Sequence, residues 1–246
     1  APEGRRPHPR RHRGRATRRL TMGTRTVQSI LDRAWLKAHD PGVNKRWGIA
    51  EGILWCSDAQ IAAVNLLPRA YTQTAVVTAQ AGTRQTLSGL GLANGLQPMD
   101  IPHNVAANGV TPSSPVTKIK RAFLDDYVPT WHSALGTTIE HWMTDEEDPK
   151  AFYISPAISG GGKFRLIYSA LPAELTALTD TIVLDDVYAD ALQNYVLFCF
   201  FSKDLTSIKS AQLAQMYHTL FERAMGVRDQ KLSLTEAKSN AKQQGA

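Results

Sequence analysis

The sequence predicts an α+β protein: four helices, two near each end of the chain, around an inserted antiparallel β domain. Two observations predict this class. Apolar residues recur at helical spacing between Thr24 and Leu66, and again from Asp185 to Met225. From Gln73 to Ser169 the period changes, and short β-rich runs alternate with turn residues. The chain has 246 residues and 43% hydrophobic content, enough for one substantial domain with extensions or two small ones.

In the first helix Val27, Ile30, Leu31, Ala34, Trp35 and Ala38 share one face, and His39-Asp40-Pro41-Gly42 ends it. A second helix is expected from Gly48 to Leu66, with Ile49, Ile53, Leu54, Ile61 and Val64 inward, stopping at Pro68. The eight-residue connection implies an antiparallel helical hairpin over 24–72. The β domain, 73–183, is expected to open with a hairpin: Thr74–Thr78 as strand, Ala81-Gly82-Thr83-Arg84 as turn, Gln85–Leu87 as return. Residues 88–115, rich in Gly, Pro, Asn and Ser, read as an extended surface loop. Further strands fall at Val116–Lys120, Thr137–Met143, Phe152–Ser155 and Phe164–Ser169, with a helical turn near Ala122–Tyr127. Asp145–Lys150 and Ser159–Lys163 read as hairpin turns. The second helical pair, 184–226, carries Val187, Tyr188, Ala191, Leu192, Tyr195, Val196 and Cys199, then Leu213, Met216, Tyr217, Leu220, Phe221 and Ala224, with Gly226 at a C-cap position. Residues 227–246 form a polar C-terminal tail with Leu232 and Leu234 as its apolar anchors.

Charge is concentrated at one end. Within the arm, 1–23, the eight arginines Arg5, Arg6, Arg10, Arg11, Arg13, Arg15, Arg18 and Arg19 face a single acid, Glu3, so residues 1–21 carry +7. The remaining chain carries −1, which excludes a basic body that grips nucleic acid across a face. The arm cannot bury enough apolar surface to fold alone, and it lacks the apolar run of a secretory signal. Three readings stand for it: a contact with nucleic acid or an acidic partner, a solvated tail, or upstream sequence ahead of a start at Met22.

Other classes find little support. The longest apolar run, Tyr195–Phe201, is far short of a bilayer span, so no membrane contact is expected. Cys56 and Cys199 give no disulfide framework and no thiolate zinc site, which suits folding in a reduced, intracellular compartment. Gly160-Gly161-Gly162-Lys163 falls short of a phosphate loop, because Ala157 and Phe164 stand where Gly and Ser or Thr are required. His103, His132 and His141 match no metal spacing, and Asp145–Asp148 lacks a calcium loop's alternation of ligands. No catalytic, cofactor-binding or metal-binding residue is expected.

The ordered set of elements resembles the phage adaptor proteins, the head-to-tail connector or head-completion family of tailed bacteriophages. The likeness rests on Thr26–Ala34, Arg46-Trp47, Ala79–Leu87, Pro129–His132, Asp148–Pro156, Tyr168–Leu175, and Asp186–Leu192 through Asp204. It covers about 200 residues in order. The resemblance implies a structural virion protein of the neck, assembled in the host cytoplasm. It implies a homo-oligomeric ring, typically of twelve subunits, beneath the portal protein, serving as a docking platform for a tail nozzle or tail tube protein. Double-stranded DNA would pass through the channel at genome ejection without sequence-specific binding. The resemblance also implies a portal-docking role for the C-terminal tail, with Leu232 and Leu234 as anchors and Arg228, Lys231 and Lys238 as polar contacts. The arm departs from the family pattern, and its eight arginines would meet an acidic groove on the portal or a tail protein. Two other readings remain: a nucleic-acid-binding protein acting through the arm, and a hydrolase using His132 or His141 as base.

Overall fold

The computed structural model describes residues 23–40, 46–159, 161–204 and 207–244, with side chains as far as residue 226. The first helix, α1 (Val27–Lys37), starts where the Thr26 hydroxyl accepts the Ser29 N–H at 3.3 Å. Its stripe Val27, Ile30, Leu31, Ala34 and Trp35 is fully inside. The second, α2 (Ile49–Leu66), buries small residues instead: Gly52, Cys56, Ala59 and Ala63 face the core. Ile49 and Leu54, expected inward, are exposed. The small stripe lets α1 come close, and a Cβ on Gly52 would sit 2.9 Å from a Leu31 methyl. Ile49 and Leu54 are therefore turned outward, whereas Val64 stays buried and Ile53 packs half-buried against the core, as expected.

Helix α4 (Ala189–Lys203) packs against α1, α2 and the last helix, α5 (Ile208–Gln244). All four contribute to one apolar cluster, including Trp35, Val64, Leu192, Phe200, Phe221 and Met225. The C-cap expected at Gly226 is absent, and α5 runs on to Gln244. One interior glycine costs about 1 kcal/mol, which a 37-residue helix absorbs. With 15 residues α4 is about 22 Å long, whereas α5 is about 55 Å, so α5 outreaches its main partner at its C-terminal end. Among the described residues no helix is long and apolar enough to cross a membrane.

Between α2 and α4 the described residues include nine strands and one short α-helix. They are β1 (Thr72–Thr78), β2 (Gly82–Thr86), β3 (Gly95–Val105), β4 (Pro112–Pro115), β5 (Thr117–Lys118), α3 (Arg121–Tyr127), β6 (Leu135–Gly136), β7 (His141–Thr144), β8 (Ala151–Ile158) and β9 (Lys163–Ala170). One sheet has the order β1-β9-β3-β4, the other β2-β8-β7-β5, with β6 also on β8. Inner faces of both sheets share a core that includes Val77, Ile101, Phe164 and Leu166 with Trp142, Phe152 and Ile154.

Three sequence expectations change here. The block is not wholly antiparallel: β5 pairs β7 and β6 pairs β8 in parallel, and the connection through α3 supplies the crossover that β5–β7 pairing requires. The proposed hairpins at Gly82 and at Gly161–Lys163 are corners instead. There β1 passes to β2, and β8 to β9, between the two sheets. Gly82 (φ +91°) and Gly161 (φ +77°) both take the left-handed conformation such corners use. Lastly, residues 88–115 are not a plain loop, because β3 runs through the interior of a sheet. The Asp145–Lys150 turn does join a hairpin, β7 to β8.

Asn104, 3% exposed, ties the two layers together. Its side-chain amide donates to the Ile139 carbonyl at 2.7 Å and accepts the Ile139 N–H at 3.0 Å.

Candidate assembly interface

The α3 segment forms a knob. Its support is a small separate core of Leu124, Trp131 and Met143. The Trp131 indole donates to Asp125 at 2.8 Å, and Asp125 also pairs with Arg121 at 3.5 Å. Arg121 in turn lies over the Tyr153 ring at 5.1 Å. Upon this base Phe123 and Tyr127, one helical turn apart, touch with ring centroids 4.7 Å apart and are 53% and 72% exposed. Single exposed apolar residues are ordinary on any surface; a fixed aromatic pair continuing into exposed Val128 is the kind of patch a partner covers.

The helical body offers further apolar surface. Leu36, Ile49 and Leu54 on α1 and α2 are exposed, as are Ile208, Met216 and Leu220 on α5. A cleft of about 370 Å³ lies between the end of α2 and the β domain, lined by Arg69, Lys118 and Asp145 among others. Burial holds the Lys118 pKa below its ordinary value, with Arg69 adding to the effect and Asp100 opposing it, and its ammonium lies 4.6 Å from the Trp142 ring centre. Asp145 is held low although burial opposes this, through backbone N–H donors and the Arg84 guanidinium. Arg84 also reaches Asp148 at 3.1 Å, so the acidic turn is braced rather than left as free carboxylates.

The sequence-predicted contact residues fall at the margins. Arg5, Arg6, Arg10, Arg11, Arg13, Arg15, Arg18 and Arg19 lie outside the described residues. Arg228, Lys231, Leu232, Leu234 and Lys238 stand on the α5 backbone beyond the reach of α4, and their side chains are outside what is described. On an α-helix those five positions span roughly 160° of arc.

Sequence reasoning missed the anchor where the described chain begins. Asp186 accepts the Thr24 N–H at 2.8 Å, the Thr24 hydroxyl at 2.5 Å and the Arg25 N–H at 3.2 Å. These bonds hold its pKa below the ordinary carboxylate value. Asp186 stood in the sequence only as part of the Asp186–Leu192 stretch, and its long-range partner was not legible, since 162 residues separate Asp186 from Thr24.

Little here resembles a reaction centre. Cys56 is buried in the helical core and Cys199 is half-buried on α4, and burial pushes both thiols up to about 12, so they are thiols at neutral pH. His132 stacks on Trp131 with centroids 3.6 Å apart, which makes it part of the knob. Lys163, of the glycine-rich turn, donates to the Ala107 carbonyl at 2.9 Å. Among the described residues no group of three or more His, Cys, Asp or Glu side chains is placed to hold a metal ion.

Among curated proteins none matches the chain at a significant level. A family model does, over residues 25–242, from the segment before α1 to the last turn of α5, and its description is SU10 adaptor protein. That match takes in both helical pairs, the β domain and nearly all of the α5 extension. The chain belongs to the SU10 adaptor protein family, a phage head-to-tail adaptor family of structural proteins.

Proposed function

We propose that this chain forms a closed ring of identical subunits, of about twelve copies, in the virion neck beneath the portal protein. There it extends the channel through which double-stranded DNA leaves and offers the platform on which a tail nozzle or tail tube protein docks. The observation that carries this reading is the family match across residues 25–242. Exposed apolar residues on α1, α2 and α5 support it, since a ring needs a heterologous contact between two different faces of each subunit. A body of charge −1 also suits a channel that DNA slides through rather than grips.

Within this reading the α5 extension reaches the portal. Arg228, Lys231 and Lys238 make its polar contacts and Leu232 and Leu234 its apolar ones. The arm, with its eight arginines, meets an acidic groove on the portal or a tail protein. Absolute peptide quantification on purified particles is the test. About one copy per portal subunit supports the ring, and absence from the particle rejects it. Removing residues 227–246 should leave the body folded and abolish incorporation beside the portal; unaltered incorporation rejects the docking role. Removing residues 1–21 should weaken neck assembly. If the arm contacts DNA instead, affinity falls with salt at a slope of about −0.9 per phosphate neutralised, and the truncated chain loses it.

A further inference from the structure

Sheet edges expose unpaired N–H and C=O groups, and proteins blunt them with proline, charge, bulges or short length. Among the described strands, the edges other than β1 are blunted in these ways, and β6 has only two residues. Strand β4 has four residues with Pro112 and Pro115 at its ends. Strand β2 carries Arg84 and a register shift between Gly82 and Arg84. Strand β5 has two residues, one of them Lys118. The remaining edge, β1, has seven residues, Thr-Gln-Thr-Ala-Val-Val-Thr, with no charge and no proline, in unbroken register with β9.

The hydrogen-bond phase shows which groups are open. The Ala170 N–H donates to Tyr71 O at 3.3 Å, and the Ala79 N–H donates to Gly162 O at 2.8 Å. In an antiparallel ladder bonded pairs alternate, so Gln73, Ala75 and Val77 direct their backbone groups to β9. Thr72, Thr74, Val76 and Thr78 therefore direct theirs away from the sheet, and the last three are exposed.

The geometry points to β1 as a docking edge that takes one extended strand from a different virion protein, a strand with acidic side chains on the outer face. The inference rests on the neck-assembly reading. Charge selects the occupant. Beside β1 on that face stand Arg165, paired with Val76, and Lys163, paired with Thr78. The Arg165 Nε has no hydrogen-bond partner among the described residues. A strand from this chain's own arm would bring arginines against these cations. Pairing of β1 with β1 of a second copy would be a two-fold contact, which stops at two subunits and does not close a larger ring. The other edges, blunted as above, offer no complement. An acidic strand from another protein fits.

Two measurements on phage carrying altered chains test this. A photo-crosslinking residue replacing Thr74 should, in purified particles, link to an extended segment of a different virion protein. A link to a second copy, or none in particles that contain the chain, overturns the proposal. Val76→Pro removes only an outward N–H; the isolated full chain should keep its circular dichroism and melting midpoint while tailed particles are lost. Normal tailed particles overturn it. If Val76→Pro does not fold, Val76→Lys, which places a third cation on the same face, decides by the same loss. A chain absent from particles altogether rejects the neck reading and this one together; a chain present but linked to its own kind rejects this one alone.

Discussion

Trp47 and Phe200 stack with ring centroids 4.7 Å apart and planes within 10°, and the Trp47 indole also donates to the Phe200 carbonyl at 2.8 Å. One residue thus closes the start of α2 onto the last turn of α4 by both packing and a hydrogen bond. Trp47→Ala should cost about 3–5 kcal/mol, and Trp47→Phe, which keeps the stack and loses the bond, about 1–2 kcal/mol. Urea unfolding read by circular dichroism checks the order of the two. Equal costs would mean that the bond contributes most of the effect.

Asp186 should make stability depend on acid. Its native pKa is depressed, first by the Thr24 hydroxyl and then by backbone N–H groups, so its contribution is complete above the unfolded value near 4. That contribution is lost as pH falls through the lower native value. Asp186→Asn should therefore be less stable than the parent at pH 7, with the difference shrinking below about pH 4. A difference that stays constant from pH 7 to pH 2.5 would assign the effect to shape instead of charge.

Both cysteines should resist reagents in the folded chain. With native values of about 12, Cys56 and Cys199 hold almost no thiolate at pH 8; Cys56 lies in the core and Cys199 is half-buried. Thiol titration should show slow reaction in buffer and fast reaction of two groups in urea. The raised values give the opposite sign from Asp186: the stabilisation is present below the unfolded thiol value, and it is lost as pH rises above roughly 8.5.

Replacing Asn104 by Leu leaves the Ile139 N–H and carbonyl without their partner between two sheets. A loss of about 2–4 kcal/mol is expected, since each buried polar group left unmade costs about 1–3 kcal/mol. Thermal unfolding of the purified chain measures it. A change under about 0.5 kcal/mol would show that water replaces the amide at no cost.

The helices were legible because their periodicity is local. Val27 to Trp35 fixes a face without reference to any other segment, and the structure buries that face. Strand pairing was not. Pro98 and Pro102 made residues 88–115 look like loop, yet β3 places both at or beside register shifts, at Pro98/Asp100 and between Asp100 and His103, where a missing N–H breaks no ladder. Gly82 looked like a hairpin tip because sequence shows a turn but not which sheet receives the next strand. The outward Ile49 and Leu54 were misread because hydrophobicity was weighed above size: the closer approach belongs to Gly52 and Ala59. The aromatic knob was not legible either. Exposed Phe123 and Tyr127 stand in a segment that sequence marks only as a helical turn, and which of its apolar residues the small core leaves outside depends on long-range packing.

The strand on which the chain departs from the helical body and the strand on which it comes back are neighbours, Thr72 facing Ser169. Directly paired residues in such a ladder are about 4.5–5.5 Å apart, so the helices span the same small gap whatever lies between. Residues 72–170 are thus a cassette. They can be shortened, enlarged or exchanged with only that doorway conserved, so the outer surface of the β domain can diversify while the helices stay unchanged.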